Sequence, residues 1–422
     1  MSRCPSQDSA ASHTIGEIVR KFGRSYVDKY KPSNRIKKIL SCIGNCRTAA
    51  LGGHYVECTQ CDYKKVVYNS CGNSHCPQCQ SLKRALWVDK TRHRQLPVRH
   101  YHVIFTLPHE LNDLIYYNQK KFYNLLFQVS SETIRYFAGP GQCGMIATLH
   151  TWGSNLSYHP HIHCIVADGY FDGEKWQRGK RHNGCFFVKY SELRKKYQEL
   201  FIKRSITLIE ESEDLYYEGR PIESEDYEKI SKIYTKASLK SSWSVRVETP
   251  IYGEQKLVEY LGRYVSRVAI TNNRIISITE EEVTYSYKVY SKQEKGKAAP
   301  MTSKVMSGAK FLQRFVQHIP PYGFHRIRYY GVYNYSQKRR LESARSSING
   351  EVAEAYTAPI ASSMIKQLIG IHPDQCPSCK QYMTFVTKPI AEEPSHRLCL
   401  LGIGRGDASV RIKPRRNRAL VF

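Results

Sequence analysis

The clearest hydrophobic pattern begins at Arg99. From there to Pro108 the chain reads RHYHVIFTLP, a nearly unbroken apolar, β-branched and aromatic run that Pro108 ends by removing a backbone donor. This run predicts a strand. From 112 to 137 apolar positions recur at helical spacing, which predicts one helix with Asn112 or Asp113 as its cap. GMIATLHTWG (144–153) and HIHCIVADG (161–169) predict two more strands, joined by a polar connection short enough for antiparallel pairing. SWSVRVETP, from Ser242 to Pro250, predicts a further strand, and GEQKLVEYLGRYVSRV (253–268) a short amphipathic helix. NRIISITEEEVTYSYKVY (273–290) alternates as a hairpin does. Strands interrupted by helices, with antiparallel neighbours, imply an α+β fold: a central antiparallel sheet flanked by helices.

The same pass divides the chain into zones. Residues 1–92 are Cys/His-rich and basic, and form a small N-terminal domain. Residues 95–295 carry the strands and helices of a core, with a charge-dense helical insertion at about 186–240. Residues 296–422 form a C-terminal region with one more Cys-x2-Cys pair and a basic tail. The one strongly acidic stretch, Ile209 to Glu228, reads as a solvated loop or an interaction surface.

Charge changes the picture from fold to partner. Over 422 residues, 64 Lys and Arg face 37 Asp and Glu, a formal net charge of +27, which points to a polyanion and above all to nucleic acid. The 31 tyrosines are mostly structural by expectation, although such rings also stack on bases. No apolar run long enough for a membrane span and no signal-peptide segment is read, so an intracellular, cytoplasmic location is expected. In a reducing compartment the 14 cysteines read as metal ligands or free thiols, not as a disulfide framework.

Among them, Cys58-x2-Cys61 and Cys76-x2-Cys79 have the spacing of a zinc ribbon, so these four are expected to hold one structural Zn²⁺ tetrahedrally. Cys46, His54, Cys71 and His75 remain as a possible second zinc set, with Cys42 as a substitute for Cys46. The later pair Cys376-x2-Cys379 has only Cys399, His372 and His396 as companions for a third ion.

A second chemistry sits on the strand around 161. Side chains alternate along a strand, so His161 and His163 share one face while Ile162, Cys164 and Val166 line the other. A divalent metal needs convergent ligands. The third ligand is expected to be His150, at the end of GMIATLH, with His159 as the alternative on the same parity. Tyr260 and Tyr264 lie four apart on the helix predicted after Gly253 and so share a face, where they either pack against the sheet or enter a site.

Four ordered stretches, YNSCGNSHCPQCQ, HTWGSNLSYHPHIHCIV, YLGRYVSRVAITNNR and GFHRIRYYG, resemble the rolling-circle transposases of bacterial insertion sequences. These belong to the two-tyrosine branch of the HUH single-strand endonucleases and carry an N-terminal zinc-binding domain. The resemblance implies an HUH-type core in which His161 and His163 hold Mg²⁺ or Mn²⁺, and it places a third ligand on the preceding strand, at His150. It further implies that Tyr260 and Tyr264 are nucleophiles that cut and rejoin single-stranded DNA, or hairpin ends, through 5′-phosphotyrosine links. A replication initiator or relaxase with the same chemistry, or a zinc-dependent DNA-binding protein without catalysis, are the competing readings.

Overall fold

The computed structural model describes residues 13–179, 188–239, 243–248, 250–251, 268–294, 297–350, 356–370, 372–382 and 386–390. In chain order the first helices are α1 (Ile15–Tyr30), α2 (Asn34–Asn45), α3 (Ser81–His93), α4 (Asn112–Tyr117), α5 (Gln119–Ala138), α6 (Tyr190–Glu210) and α7 (Asp226–Leu239). The strands are β1 (Gly53–Glu57), β2 (Lys64–Tyr68), β3 (His100–Thr106), β4 (Gly144–Trp152) and β5 (Tyr158–Ala167). Then come β6 (Tyr170–Phe171), β7 (Trp176–Gln177), β8 (Tyr216–Tyr217), β9 (Arg220–Pro221) and β10 (Ser244–Val247). The last are β11 (Ile275–Ile278), β12 (Glu282–Lys288), β13 (Met301–Ser307), β14 (Ile327–Gly331) and β15 (Val386–Ile390).

A five-stranded sheet in the order β10-β3-β5-β4-β14 forms the centre, and every neighbouring pair is antiparallel. The expected α+β architecture with a central antiparallel sheet is therefore present. Alternation explains its two faces. Tyr101, Val103 and Phe105 of β3, Met145, Ala147 and Leu149 of β4, and Ile162, Cys164 and Val166 of β5 all turn into one core. There they meet Phe122, Leu126 and Phe127 of α5 and Tyr197 and Phe201 of α6. Apolar burial on this side lets the opposite face of the same strands carry histidines.

The helix predicted over 112–137 is two helices. Asn118 separates α4 from α5, because its amide donates to the carbonyls of Leu114 and Tyr216 at 2.8 and 2.6 Å and accepts from the Tyr216 backbone N–H at 2.9 Å. Neither Asn112 nor Asp113 is the cap: Leu111 stands at that position, with no side-chain cap hydrogen bond.

The acidic stretch is likewise more ordered than a solvated loop. Its β8–β9 hairpin buries Leu215 and Tyr217 in the main core. Asp226, with no solvent exposure, accepts from Arg220 at 2.7 and 3.0 Å and from the Glu223 backbone N–H at 3.0 Å. The expected hairpin at 273–290 is found as β11–β12 and is extended by β13. Against this smaller sheet, α1 and the helix Gly308–Val316 pack through Ile15, Ile18, Val19, Phe22, Phe311, Leu312 and Tyr285. Thr14 and Glu17 close a reciprocal capping box at the start of α1. No helix among the described residues is long and apolar enough to cross a membrane.

Candidate functional site

On its polar face the central sheet brings three imidazoles together. His161 and His163 lie two apart on β5, and His150 of β4 stands directly opposite His161 in the ladder. Ring centroids are 5.5 Å apart for His150 and His161, 4.4 Å for His150 and His163, and 4.9 Å for His161 and His163. The three can each direct one ring nitrogen so that all lie within 4.8 Å of one another. Trp152 stacks on His150 at 4.7 Å. His159 stays outside this group, although its ring is 5.1 Å from that of His161.

Hydrogen bonds orient the rings. His161 donates from Nδ1 to the His159 carbonyl at 2.7 Å, which turns Nε2 toward the other two histidines. His163 Nδ1 lies 2.8 Å from Nε2 of His102, and His102 Nδ1 lies 2.9 Å from the Glu248 carboxylate. Proton counting then sets the tautomers. The carboxylate accepts the Nδ1 proton of His102, His102 Nε2 accepts the Nδ1 proton of His163, and the lone pair of His163 remains on Nε2. Burial pushes His161 down to about 3, so this ligand is neutral at neutral pH, and it also lowers His102 and His159 beside it. Hydrogen bonding to His102 holds Glu248 below the usual carboxylate range. Three convergent imidazoles, one of them backed through His102 by a carboxylate, are a donor set that fits a divalent cation.

His102 and Glu248 escaped the sequence reading. The signal was the spacing His100-x-His102 inside a run read only as a strand, the same spacing as His161-x-His163. His100, its companion, does something else: its Nε2 meets the buried Tyr333 hydroxyl at 2.7 Å. Tyr260 and Tyr264 lie outside the described residues. The chain enters their stretch from the sheet edge, where Ile251 bridges to His100, and returns from it at the buried Val268.

The cysteines are grouped differently from the expected Cys58, Cys61, Cys76 and Cys79 set. Cys46, Cys71, Cys76 and Cys79 form one cluster; Cys58, Cys61, Cys376 and Cys379 form another. The β1–β2 hairpin is the reason. Cys58 and Cys61 occupy its turn, whereas Cys46 and Cys71 flank its open end, and five residues of strand separate the two ends by about 16 Å. His54 and His75 belong to neither cluster. His54 sits in β1 between Pro389 and Val67, and the His75 backbone N–H donates to Asn73 at 2.9 Å. Cys42 is buried outside both groups. His372 is half-buried and also belongs to neither; its Nδ1 accepts from the Asp374 backbone N–H at 3.3 Å. Cys399 and His396 lie outside the described residues. Within the first cluster, hydrogen bonding from Cys46 and the other thiols drives Cys79 far below the usual thiol range and Cys71 far above it.

Comparison with known proteins bears on both halves of this arrangement. A family described as "Putative transposase" matches residues 144–340, and "Transposase zinc-binding domain" matches residues 18–107. "Putative transposase y4qJ" of Sinorhizobium fredii is 32% identical over 379 residues, covering 87% of this chain and 93% of its own. "Transposase for insertion sequence element IS801" of Pseudomonas savastanoi pv. phaseolicola is 25% identical over 363 residues, covering 81% and 80%. No solved structure matches the chain. The zinc-binding-domain match and the cysteine clusters together support structural Zn²⁺. At this identity and coverage, the chain belongs to the IS91 family of insertion-sequence transposases, rolling-circle transposases with an N-terminal zinc-binding domain.

Proposed function

We propose that this transposase cuts and rejoins single-stranded DNA, with Tyr260 and Tyr264 as nucleophiles beside a divalent cation held by His150, His161 and His163. The convergence of those three imidazoles on the polar face of the sheet is the observation that carries this reading. A bound cation supplies Lewis-acid polarisation of the scissile phosphate. Mg²⁺ and Mn²⁺ are the proposed working ions, and nitrogen donors favour Mn²⁺ over Mg²⁺, whose preference is for oxygen.

A tyrosine hydroxyl, with an ordinary pKa of about 10, needs that polarisation to act near neutrality. Its phenolic oxygen bonds to phosphorus, the bond from phosphorus to the 3′ oxygen breaks, and that oxygen leaves as a 3′-hydroxyl after taking a proton. The 5′-phosphotyrosine conserves the phosphodiester energy, so a later attack by a 3′-hydroxyl rejoins strands without ATP. Two tyrosines allow two such links, one for the donor end and one for the target. Lys and Arg supply affinity for the phosphate backbone that falls steeply with salt. Acting on DNA, the enzyme works at the nucleoid in the bacterial cytoplasm.

The test incubates labelled single-stranded oligonucleotides spanning the element's ends with the protein and Mg²⁺ or Mn²⁺. A protein–DNA adduct that survives denaturation is expected. It disappears in Tyr260→Phe/Tyr264→Phe and persists in Tyr322→Phe, whose ring is 86% exposed. An adduct that survives the double substitution overturns the reading.

A further inference from the structure

We propose that Cys58, Cys61, Cys376 and Cys379 hold a zinc ion of their own, which fastens the C-terminal segment onto the N-terminal zinc-binding domain. Two of these ligands lie within the matched zinc-binding stretch at 18–107, but Cys376 and Cys379 lie beyond it and beyond the transposase match that ends at 340. The site therefore joins two parts of the chain that those matches leave unconnected.

Geometry identifies the ion. Zn–S bonds of about 2.3 Å in a tetrahedron put neighbouring sulfurs about 3.8 Å apart. Cys58 Sγ is 3.8 Å from Cys379 Sγ and Cys61 Sγ is 3.7 Å from Cys376 Sγ. A disulfide would need about 2.0 Å, so these are sulfurs arranged around a common centre, not bonded to each other. All four can be brought within 4.8 Å of one another. Four soft thiolates select Zn²⁺ over the hard cations proposed for the histidine centre.

Both Cys-x2-Cys turns are built to present their sulfurs. The Gln60 backbone N–H donates to Cys58 Sγ at 3.4 Å, which orients that sulfur within its turn. In the second turn the Lys380 N–H donates to the Cys376 carbonyl at 2.9 Å, with Lys380 itself in the left-handed region at φ 61°. The Cys376 N–H then donates to the Gln381 carbonyl at 2.9 Å.

The surrounding fold explains why an ion is needed. Cys376 and Cys379 lead into β15, which pairs antiparallel with β1 from Glu57↔Val386 to Gly53↔Ile390. The resulting β15-β1-β2 sheet has strands of five residues each, and in β1 and β2 only Gly53 and Val56 are buried, which leaves little apolar surface to hold a distant segment of chain. A shared ion replaces the missing core, because its binding energy becomes folding energy for whatever its ligands belong to.

Metal analysis of the purified full chain tests the site. Cys376→Ser/Cys379→Ser is expected to lose one zinc per chain relative to wild type, and Cys58→Ser/Cys61→Ser to lose that same one. Combining the four substitutions then removes no more than one. Wild-type zinc content in Cys376→Ser/Cys379→Ser overturns the proposal, as does loss of two ions in the combined variant while it remains folded. If the serine variants fail to fold, the Co²⁺-exchanged Cys376→His protein decides. Its sulfur-to-cobalt charge transfer weakens and its visible bands shift as one site goes from four thiolates to three and a nitrogen; a spectrum identical to wild type overturns the proposal.

Discussion

His102 and His163, on adjacent antiparallel strands, face each other with Nε2 and Nδ1 2.8 Å apart. The bond matters because His163 is one of three imidazoles gathered on that face, and His102 is itself held by Glu248 at 2.9 Å. A carboxylate at the sheet edge thereby fixes the tautomer of a ring two steps away. Glu248 also stands only a few residues before the stretch that contains Tyr260 and Tyr264.

Replacing that carboxylate should loosen the proposed cation site without unfolding the sheet. Glu248→Gln is expected to weaken Mn²⁺ affinity by about 10–100-fold, the usual cost of losing a partner behind a ligating histidine. A Mn²⁺ titration of single-strand cleavage, alongside circular dichroism to follow folding, reads the effect. Unchanged Mn²⁺ affinity would show that Glu248 does not act through His102 and His163.

The first cysteine cluster predicts a different pair of outcomes. Cys71→Ser removes one of four sulfurs and is expected to abolish binding of one zinc, with faster amide exchange in α1 and α2. Thiolate zinc sites in small domains are worth on the order of 10 kcal/mol, so little of the head's order should survive the loss. His54→Ala and His75→Ala should leave zinc content unchanged. A zinc loss in either histidine variant would restore the ligand set that sequence spacing suggested.

Ile162 separates the two histidines of β5 and is fully buried on the opposite face. Its ladder neighbours are Phe105 and Leu149, both buried. Ile162→Ala should cost about 2–5 kcal/mol in urea denaturation, through lost transfer energy and the cavity left behind. A cost below about 1 kcal/mol would mean that the face collapses around the gap.

Acid should destabilise the metal-free protein from near neutrality. Burial lowers His100 to about 4 and His318 to about 3, whereas unfolded histidines titrate near 6.5. Between those values the unfolded chain binds more protons. The contribution is therefore complete above about pH 6.5 and is lost as pH falls toward about 4 and then 3. Melting temperature measured against pH should fall over this window, less steeply in His318→Gln. A melting temperature that rises on acidification from pH 6.5 to 5 contradicts the assignment.

Much of the fold was legible because period-two and helical spacing act over a few residues. The runs at 99–108, 144–153 and 161–169 read as strands from local pattern, and they are found as the central strands His100–Thr106, Gly144–Trp152 and Tyr158–Ala167, the last beginning three residues earlier than its pattern showed. The break at Asn118 was not legible, since it depends on the Tyr216 backbone far along the chain. Asp226 looked solvated because it lies in an acidic stretch; the Arg220 side chain of β9, reaching forward to the start of α7, is what allows its burial.

Spacing alone established that this chain carries cysteines arranged to bind metal, a strand with histidines on one face, and a charge suited to nucleic acid. Those are local or additive properties, and a linear chain displays them directly. Tertiary structure decided which cysteines share a centre, because the β1–β2 hairpin separates Cys58 and Cys61 from Cys76 and Cys79, and the β1–β15 pairing delivers Cys376 and Cys379 instead. It likewise brought His102 and Glu248 behind His163. Such groupings depend on strand register between distant segments, and register is set by the burial of a whole face, which no short stretch of sequence contains.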